Sequence, residues 1–465
     1  MNSTIIAPAT TPGTGAISII RISGPDAFRI VDAVVQLKNG TVAGSKAYTI
    51  HYGEIPGVDD VLVSVFRAPH SYTGEDSVEI SCHASSWIAS EILRRLAAAG
   101  AEFAAPGEFT SRAFLNGKMD LAQAEAVADV ISSTTSASHR VAMNQLRGGY
   151  SKEFDSIEAK LLEVAALLEL ELDFSDEDVE FTSRENLLSL LDEALTKVNK
   201  LILSYKSGNS IRRGVPVAIA GAVNAGKSTL LNAILKDDRA IVSDIPGTTR
   251  DTVEETLSLG GISFRFIDTA GLRNTLDEVE NIGIGRSLKK LSEAEIILVV
   301  VDPTGSLEGL SSGLEQITSS LSSPQQLLVF LINKIDFAGE SEVNKFVTVI
   351  NNFISSLENK SYILNISAKD EIGIDKLIEL LIETKKDLLS PSDEAIVTSE
   401  RHLQALRETA ASLQRVRTSL TSGSTTDLLA EDLRLATTTL GTVTGRTLLP
   451  DTILCTIFSK FCIGK

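Results

Sequence analysis

Gly221-Ala-Val-Asn-Ala-Gly226-Lys227-Ser228 decides how this chain is read. It fits G-x-x-x-x-G-K-[ST] and stands between a predicted strand, Val217–Ala220, and a helical pattern. Glycines let backbone N–H groups curl around phosphates, Lys227 brings a point charge to the β- and γ-phosphates, and the Ser228 hydroxyl is a ligand for Mg²⁺. Outward from this loop, to about residue 380, apolar runs alternate with helical patterns. The runs are Phe264–Ile267, Ile296–Val301, Leu327–Ile332 and Tyr362–Ile366. That alternation predicts a parallel sheet flanked by helices.

Further short motifs sit where these strands end. Asp268-Thr269-Ala270-Gly271 follows the second strand; an acid there can hold a Mg²⁺-bound water, and the Gly271 N–H can reach a γ-phosphate. Asn333-Lys334-Ile-Asp336 follows Leu327–Ile332. A carboxylate at Asp336 can accept both N1–H and N2–H of guanine, a donor pair that adenine lacks, so GTP is selected over ATP. Ser367-Ala368-Lys369 offers a loop to close over the base. Gly247-Thr248-Thr249-Arg-Asp251 offers hydroxyls for Mg²⁺ in a loop. Each motif alone is weak; five in order at strand ends predict a P-loop GTPase. Leu272 stands where Ras-like enzymes have the glutamine that positions water, so hydrolysis needs another water-orienting group and another source of positive charge. Asp277, Glu278 and Glu280 are the nearby acids.

The flanking sequence predicts other domains. The 465 residues suggest about three. Residues 1–118 read as mixed α and β, with short strands at Ala16–Ile22 and Val61–Phe66 and a helix over Ser86–Ala99 that Gly100 closes. From Asp120 the pattern is helical: Leu121–Ile131, then Ile157, Leu161, Val164, Leu168 and Leu172 as one apolar stripe. Helices resume after Pro391, over His402–Val416 and Leu428–Leu440, and the chain ends in an apolar tail. The boundaries expected are 1–118, 119–212, 213–380 and 381–465, the third inserted between two parts of one helical domain.

Net charge is −18, from 43 basic and 61 acidic residues, which argues against non-specific coating of nucleic acid. Residues 151–200 carry fourteen acids and five bases, half of that net charge, and read most simply as a solvated helix face. Three cysteines, Cys82, Cys455 and Cys462, exclude a disulfide framework and suit a reducing compartment. The longest aliphatic run, Ile296–Val301, is too short to span a bilayer, and no signal peptide is visible, so a cytoplasmic protein without membrane association is expected. The five histidines show no metal-ligand spacing.

Three stretches outside the GTPase motifs resemble the MnmE (TrmE) family of tRNA-modification GTPases. They are Ala9–Gly15 with Ile20–Pro25; Ser71–Asp76 with Pro106–Thr110 and Arg112–Glu125; and the terminal Phe461-Cys462-Ile-Gly-Lys465. The resemblance implies a multidomain α/β plus all-α protein: an α+β N-terminal domain that dimerises and binds a tetrahydrofolate derivative (5-formyl- or methylene-tetrahydrofolate), a discontinuous helical domain, and an inserted Ras-like G domain. Arg21, Glu79, Lys118 and Lys465 match the folate positions; a base suits the folate's glutamate carboxylates and an acid its pterin edge. Asn224, Thr248 and the backbone oxygens of Ser243 and Ile245 match ligands of K⁺, and Ser228 and Thr249 those of Mg²⁺. Ala225, Gly226, Lys227 and Thr229 complete the GTP-contacting loop. Glu280 matches the water-orienting acid, and Cys462 lies near the one-carbon chemistry. The resemblance also implies a homodimer, a flavin-dependent MnmG-like partner in a heterotetramer or larger assembly, and tRNA as the substrate that receives an aminomethyl or carboxymethylaminomethyl group on carbon five of its wobble uridine. The GTPase motifs by themselves also fit a regulatory switch in RNA or ribosome assembly.

The chain departs from that pattern at Val223, in place of proline, and at Ala84-Ser85, in place of two glycines, which questions the backbone of that turn. The segment Thr447–Cys455 is about one residue longer than usual, and Cys455 matches no family role.

Overall fold

The computed structural model describes residues 3–173, 184–236, 240–242, 254–268, 290–389, 395–422, 426–447, 450–459, 461 and 464. They fall into two compact units. The first holds residues 1–128, 145–198 and 404–465; the second holds 129–144 and 199–403.

The first unit is built on a seven-stranded sheet. Its strands are β1 (Ile5–Pro8), β2 (Gly15–Ser23), β3 (Gln36–Leu37), β4 (Thr49–Ile55), β5 (Asp59–Phe66), β6 (Ser77–Ala84) and β7 (Glu102–Phe103), in the order β3-β4-β5-β6-β2-β1-β7. Pairing is antiparallel except between β1 and β7. Strand periodicity explains the layering: Val61, Val63 and Val65 are buried while Leu62 between them is exposed. Helix Ser86–Ala98 lays Ile92 and Leu96 on the buried face. The Ala84-Ser85 turn needs no glycine. Ala84 closes β6, and Ser85 has φ −116°, ψ 132°, the extended geometry of a helix N-cap.

The same unit contains the helices Gly149–Asp173 and Thr426–Thr444. The predicted stripe is buried along Gly149–Asp173 at Ile157, Leu161, Val164 and Leu168, and the side chain of Leu172 lies outside the described residues. Helix Thr426–Thr444 packs beside it and buries Leu429, Leu433, Ala436 and Leu440. Part of the acidic run is paired rather than merely solvated: Arg417 meets Asp192 at 2.6 Å and Arg446 meets Asp155 at 2.7 Å. Such exposed pairs contribute about 0–1 kcal/mol each, so apolar burial dominates. The apolar tail contains a further helix, Asp451–Phe458, and Phe458 and Phe461 are buried against Leu121, Ala124 and Val127.

The second unit has its own seven-stranded sheet: β8 (Val215–Gly221), β9 (Ala240–Val242), β10 (Glu254–Leu259), β11 (Ile262–Asp268), β12 (Ile296–Val301), β13 (Leu327–Ile332) and β14 (Ser361–Asn365). The order is β14-β13-β12-β8-β11-β10-β9. Every residue of β12 and β13 is buried, as expected of strands covered on both faces. The five strands from β14 to β11 are parallel, but β10 and β9 are antiparallel additions. The expected parallel sheet is present over those five strands, and the chain doubles back at this edge, where Leu259 and Ile262 pair across Gly260-Gly261, whose φ values are +55° and +83°. Two consecutive positive φ angles suit a two-residue hairpin turn and favour glycine at both places.

Candidate nucleotide-binding site

Strand β8 has β11 on one side and β12 on the other, so the chain reverses its direction of travel across the sheet there. Ligands of open α/β sheets bind at the carboxyl ends of strands at such a point. The Gly221–Ser228 loop leaves β8 at that end and runs into helix Lys227–Lys236. Its backbone is unusual. Asn224 adopts φ +61°, which asparagine tolerates better than most residues, and Gly226 adopts φ +100°. A Cβ on Gly226 would stand 2.3 Å from Asn333 Nδ2, so side chains are excluded by contact as well as by φ. Lys227 Nζ donates to the carbonyls of Gly221 and Ala222, both at 2.8 Å, which folds the ammonium over the loop. Asn224, Ser228 and Thr229 are exposed, and Ala225 is buried. The helix start adds oriented N–H groups and the positive end of its dipole.

Asn333 joins three of the motifs. It is 3% exposed; its Nδ2 donates to the Ala225 carbonyl at 2.8 Å, and its Oδ1 accepts from the Ala368 N–H at 2.9 Å. One amide thus links the phosphate loop to the Ser367–Lys369 loop. That second loop is closed by reciprocal backbone hydrogen bonds between Ser367 and Ile372, both 3.0 Å, and by Ser367 Oγ accepting from Asp370 N at 3.2 Å. Asp336 and Lys369 are exposed at the rim. Lys334 reaches Asp302, a residue the sequence motifs do not include, at 2.5 Å. Burial pushes the Asp302 carboxyl up, but hydrogen bonds from Lys334 and Thr304 outweigh it and hold the group below the ordinary carboxylate range.

Asp268 ends β11, but its side chain lies outside the described residues, as do Ser243, Ile245, Thr248, Thr249, Thr269, Ala270, Gly271 and Glu280. Among the described residues there is no cluster of acids, histidines and cysteines suited to a metal. The expected Mg²⁺ and K⁺ ligands within them are thus Ser228 and Asn224.

The first unit gathers a second group. Arg21 on β2 and Glu79 on β6 are register partners, and Arg21 Nε donates to Glu79 Oε1 at 2.9 Å. The guanidinium also donates to the Gly464 carbonyl at 3.2 Å and lies 5.5 Å from the Tyr72 ring centre and 5.7 Å from that of Phe109. Burial pushes the Tyr72 hydroxyl up, against opposing effects of Thr110 and Arg21. Lys118 instead donates to the Pro69 carbonyl at 2.9 Å, and its stem runs beside Gly74, in the loop that carries Tyr72. Cys462 and Lys465 lie outside the described residues. Cys82 lies within them and is buried; burial and the nearby Asp59 push its thiol up to about 11, which leaves little thiolate at neutral pH.

Sequence reading missed the charged network beneath this group. Arg112, 2% exposed at its side chain, meets Glu75 at 3.2 Å and Glu108 at 2.8 Å and donates to the Ser3 carbonyl at 2.8 Å. Ser23 Oγ donates to Glu75 at 2.7 Å.

Comparison with known proteins gives the family. The model of the MnmE helical domain matches residues 121–462, and that of the GTP-binding protein TrmE N-terminus matches residues 4–118. The chain belongs to the MnmE (TrmE) family. It is a GTPase. The tRNA modification GTPase MnmE of Porphyromonas gingivalis is 46% identical over 469 residues, 99% of this chain and 98% of the relative. That of Christiangramia forsetii is 44% identical over the whole of both chains. Among solved structures, an Aquifex aeolicus Era variant matches at 28% identity over 42% of this chain and 65% of that one, with a TM-score of 0.28. The family's α/β, helical and P-loop parts agree with the two sheets and the helices described above. No helix among the described residues is long and apolar enough to cross a membrane.

Proposed function

We propose that the chain hydrolyses GTP at the Gly221–Ser228 loop as part of tRNA modification. With a flavin-dependent partner, it adds an aminomethyl or carboxymethylaminomethyl group to carbon five of the wobble uridine, using a tetrahydrofolate one-carbon unit. The observation that carries the GTP site is the Asn333 joint between the phosphate loop and the Ser367–Lys369 loop. It joins the loop assigned to the phosphates to the loop assigned to the base, and Asp336, exposed at the rim, is assigned to the guanine edge.

Several residues fit the groups this reading needs. Gly226, where a Cβ would meet Asn333 Nδ2 at 2.3 Å, lets the Asn333 amide close on the loop, and the helix start beyond it offers backbone N–H groups to a phosphate. Ser228 at the helix start and Thr249 are assigned to Mg²⁺. Asn224, the Ser243 and Ile245 carbonyls and Thr248 are assigned to K⁺, and Glu280 to orienting water. When bound, the two cations supply positive charge against the phosphates. Arg21, Glu79, Lys118 and Lys465 are assigned to the folate: Arg21, 20% exposed and aromatic-flanked, offers cationic hydrogen bonds, and Glu79 offers acceptors. The outer face of the first sheet exposes Ile50, Tyr52 and Leu62, with Tyr52 and Leu62 directly paired. That apolar patch supports a homodimer formed through the N-terminal domain.

Nucleoside analysis of tRNA from cells lacking the gene tests the whole reading. Loss of the wobble modification is expected. Unmodified levels matching wild type would favour a regulatory switch in RNA or ribosome assembly. In vitro, hydrolysis should run faster in K⁺ than in Na⁺, and equal rates remove the assignment of Asn224.

A further inference from the structure

Asp302 is the first residue after β12, and its two carboxylate oxygens have separate partners. Oδ1 accepts from the Thr304 N–H at 3.0 Å and from the Thr304 hydroxyl at 2.7 Å. Oδ2 accepts from Lys334 Nζ at 2.5 Å. Thr304 therefore orients the carboxylate and leaves the other oxygen for the lysine. Lys334 starts from a strained backbone, φ +60°, which a non-glycine residue rarely adopts. Its carbonyl accepts from the N–H groups of Phe337 and Ala338, both at 3.0 Å, so the segment carrying Asp336 turns about it. Fixing a lysine side chain before a ligand arrives removes its loss of rotamer freedom from binding.

We propose that Asp302 is a positioning residue for the nucleotide base: by anchoring the Lys334 ammonium, it holds the four-carbon stem of Lys334 as a preformed wall of the guanine pocket. This rests on reading Asn333–Asp336 as the base site. The competing role is a plain turn at the end of β12, where the Gly305 N–H donates to the Asp302 carbonyl at 3.2 Å. Asparagine separates the two roles, because its amide oxygen can still accept from Thr304 while the charge facing Lys334 is lost.

The test is the release of a fluorescent guanine nucleotide from the full chain, followed by stopped flow. Asp302→Asn should raise the dissociation rate about tenfold and raise KM for GTP more than it lowers kcat. Asp302→Glu should recover part of the loss. Asp336→Asn is the control for the base site: an amide there donates to the added oxygen of xanthine and should shift preference from guanine to xanthine nucleotides. If Asp336→Asn shifts the preference and Asp302→Asn leaves release within twofold, the role of Asp302 is overturned and the base site stands. If Asp336→Asn shifts nothing, the base-site reading falls and the role of Asp302 falls with it. Should Asp302→Asn fail to fold, Thr304→Val decides: a smaller rise in the release rate supports the proposal, and no change overturns it.

Discussion

The two units hold their charged side chains in place by different means. In the second unit the frame is mostly backbone. The phosphate loop is shaped by φ at Asn224 and Gly226, and a neutral amide, Asn333, ties it to its neighbour. In the first unit the frame is charge. Arg21 is paired with Glu79, and beneath them Arg112 is enclosed by Glu75 and Glu108. A neutral frame can be buried fully at little desolvation penalty, whereas a charged one must keep every partner. The two should therefore break differently.

The largest effect is expected at Arg112. Arg112→Leu removes a buried cation and leaves the partly buried Glu75 and Glu108 without it, and breaking such a pair costs about 3–5 kcal/mol. Urea denaturation of the full chain, followed by a probe in the first unit, should show a loss of that size. A loss below about 1 kcal/mol would mean that the network is solvated and that charge is not what holds the loop around Tyr72.

Asn333→Ala comes next. It strips partners from the Ala225 carbonyl and the Ala368 N–H, both in buried residues, at about 1–3 kcal/mol for each group left unsatisfied. The unfolding transition of the second unit should fall accordingly, and guanine nucleotide affinity should fall with it. Stability lost with affinity unchanged would separate the two loops and break the comparison.

These differences explain what was legible beforehand. The GTP motifs are short and contiguous, and those after β8, β13 and β14 follow a strand closely, so the sequence pattern alone pointed to Asn333, Ser367 and the phosphate loop. Asp302 was not legible as a partner of Lys334, because their meeting depends on β12 lying beside β13. The Arg112 network was hidden for the same reason: Arg112 and Glu75 are 37 residues apart, and Arg112 and Ser3 109 apart. Arg21 and Glu79 came from family resemblance; their pairing follows from antiparallel register between β2 and β6. The Asp451–Phe458 helix, at eight residues, spans too few turns to show a period and passed as an apolar tail.

The smallest predicted effect compares two turns. Gly261 sits at φ +83°, and a Cβ there would meet Leu389 Cδ2 at 3.3 Å, a tight contact with a movable methyl. Gly261→Ala should therefore be charged mainly for its left-handed backbone, about 1–2 kcal/mol, read as a loss of stability in the second unit. Ser85 occupies an extended cap with no hydrogen bond from its side chain, so Ser85→Gly should change stability in the first unit by only about a few tenths of a kcal/mol. The sequence treats these sites in opposite ways: glycine is present in one turn and absent from the other. If the φ values decide, that difference has a physical cause, because only the hairpin between β10 and β11 demands a conformation that a side chain resists. A Ser85→Gly protein more stable by 1 kcal/mol or more would show instead that the β6 turn carries strain which glycine relieves.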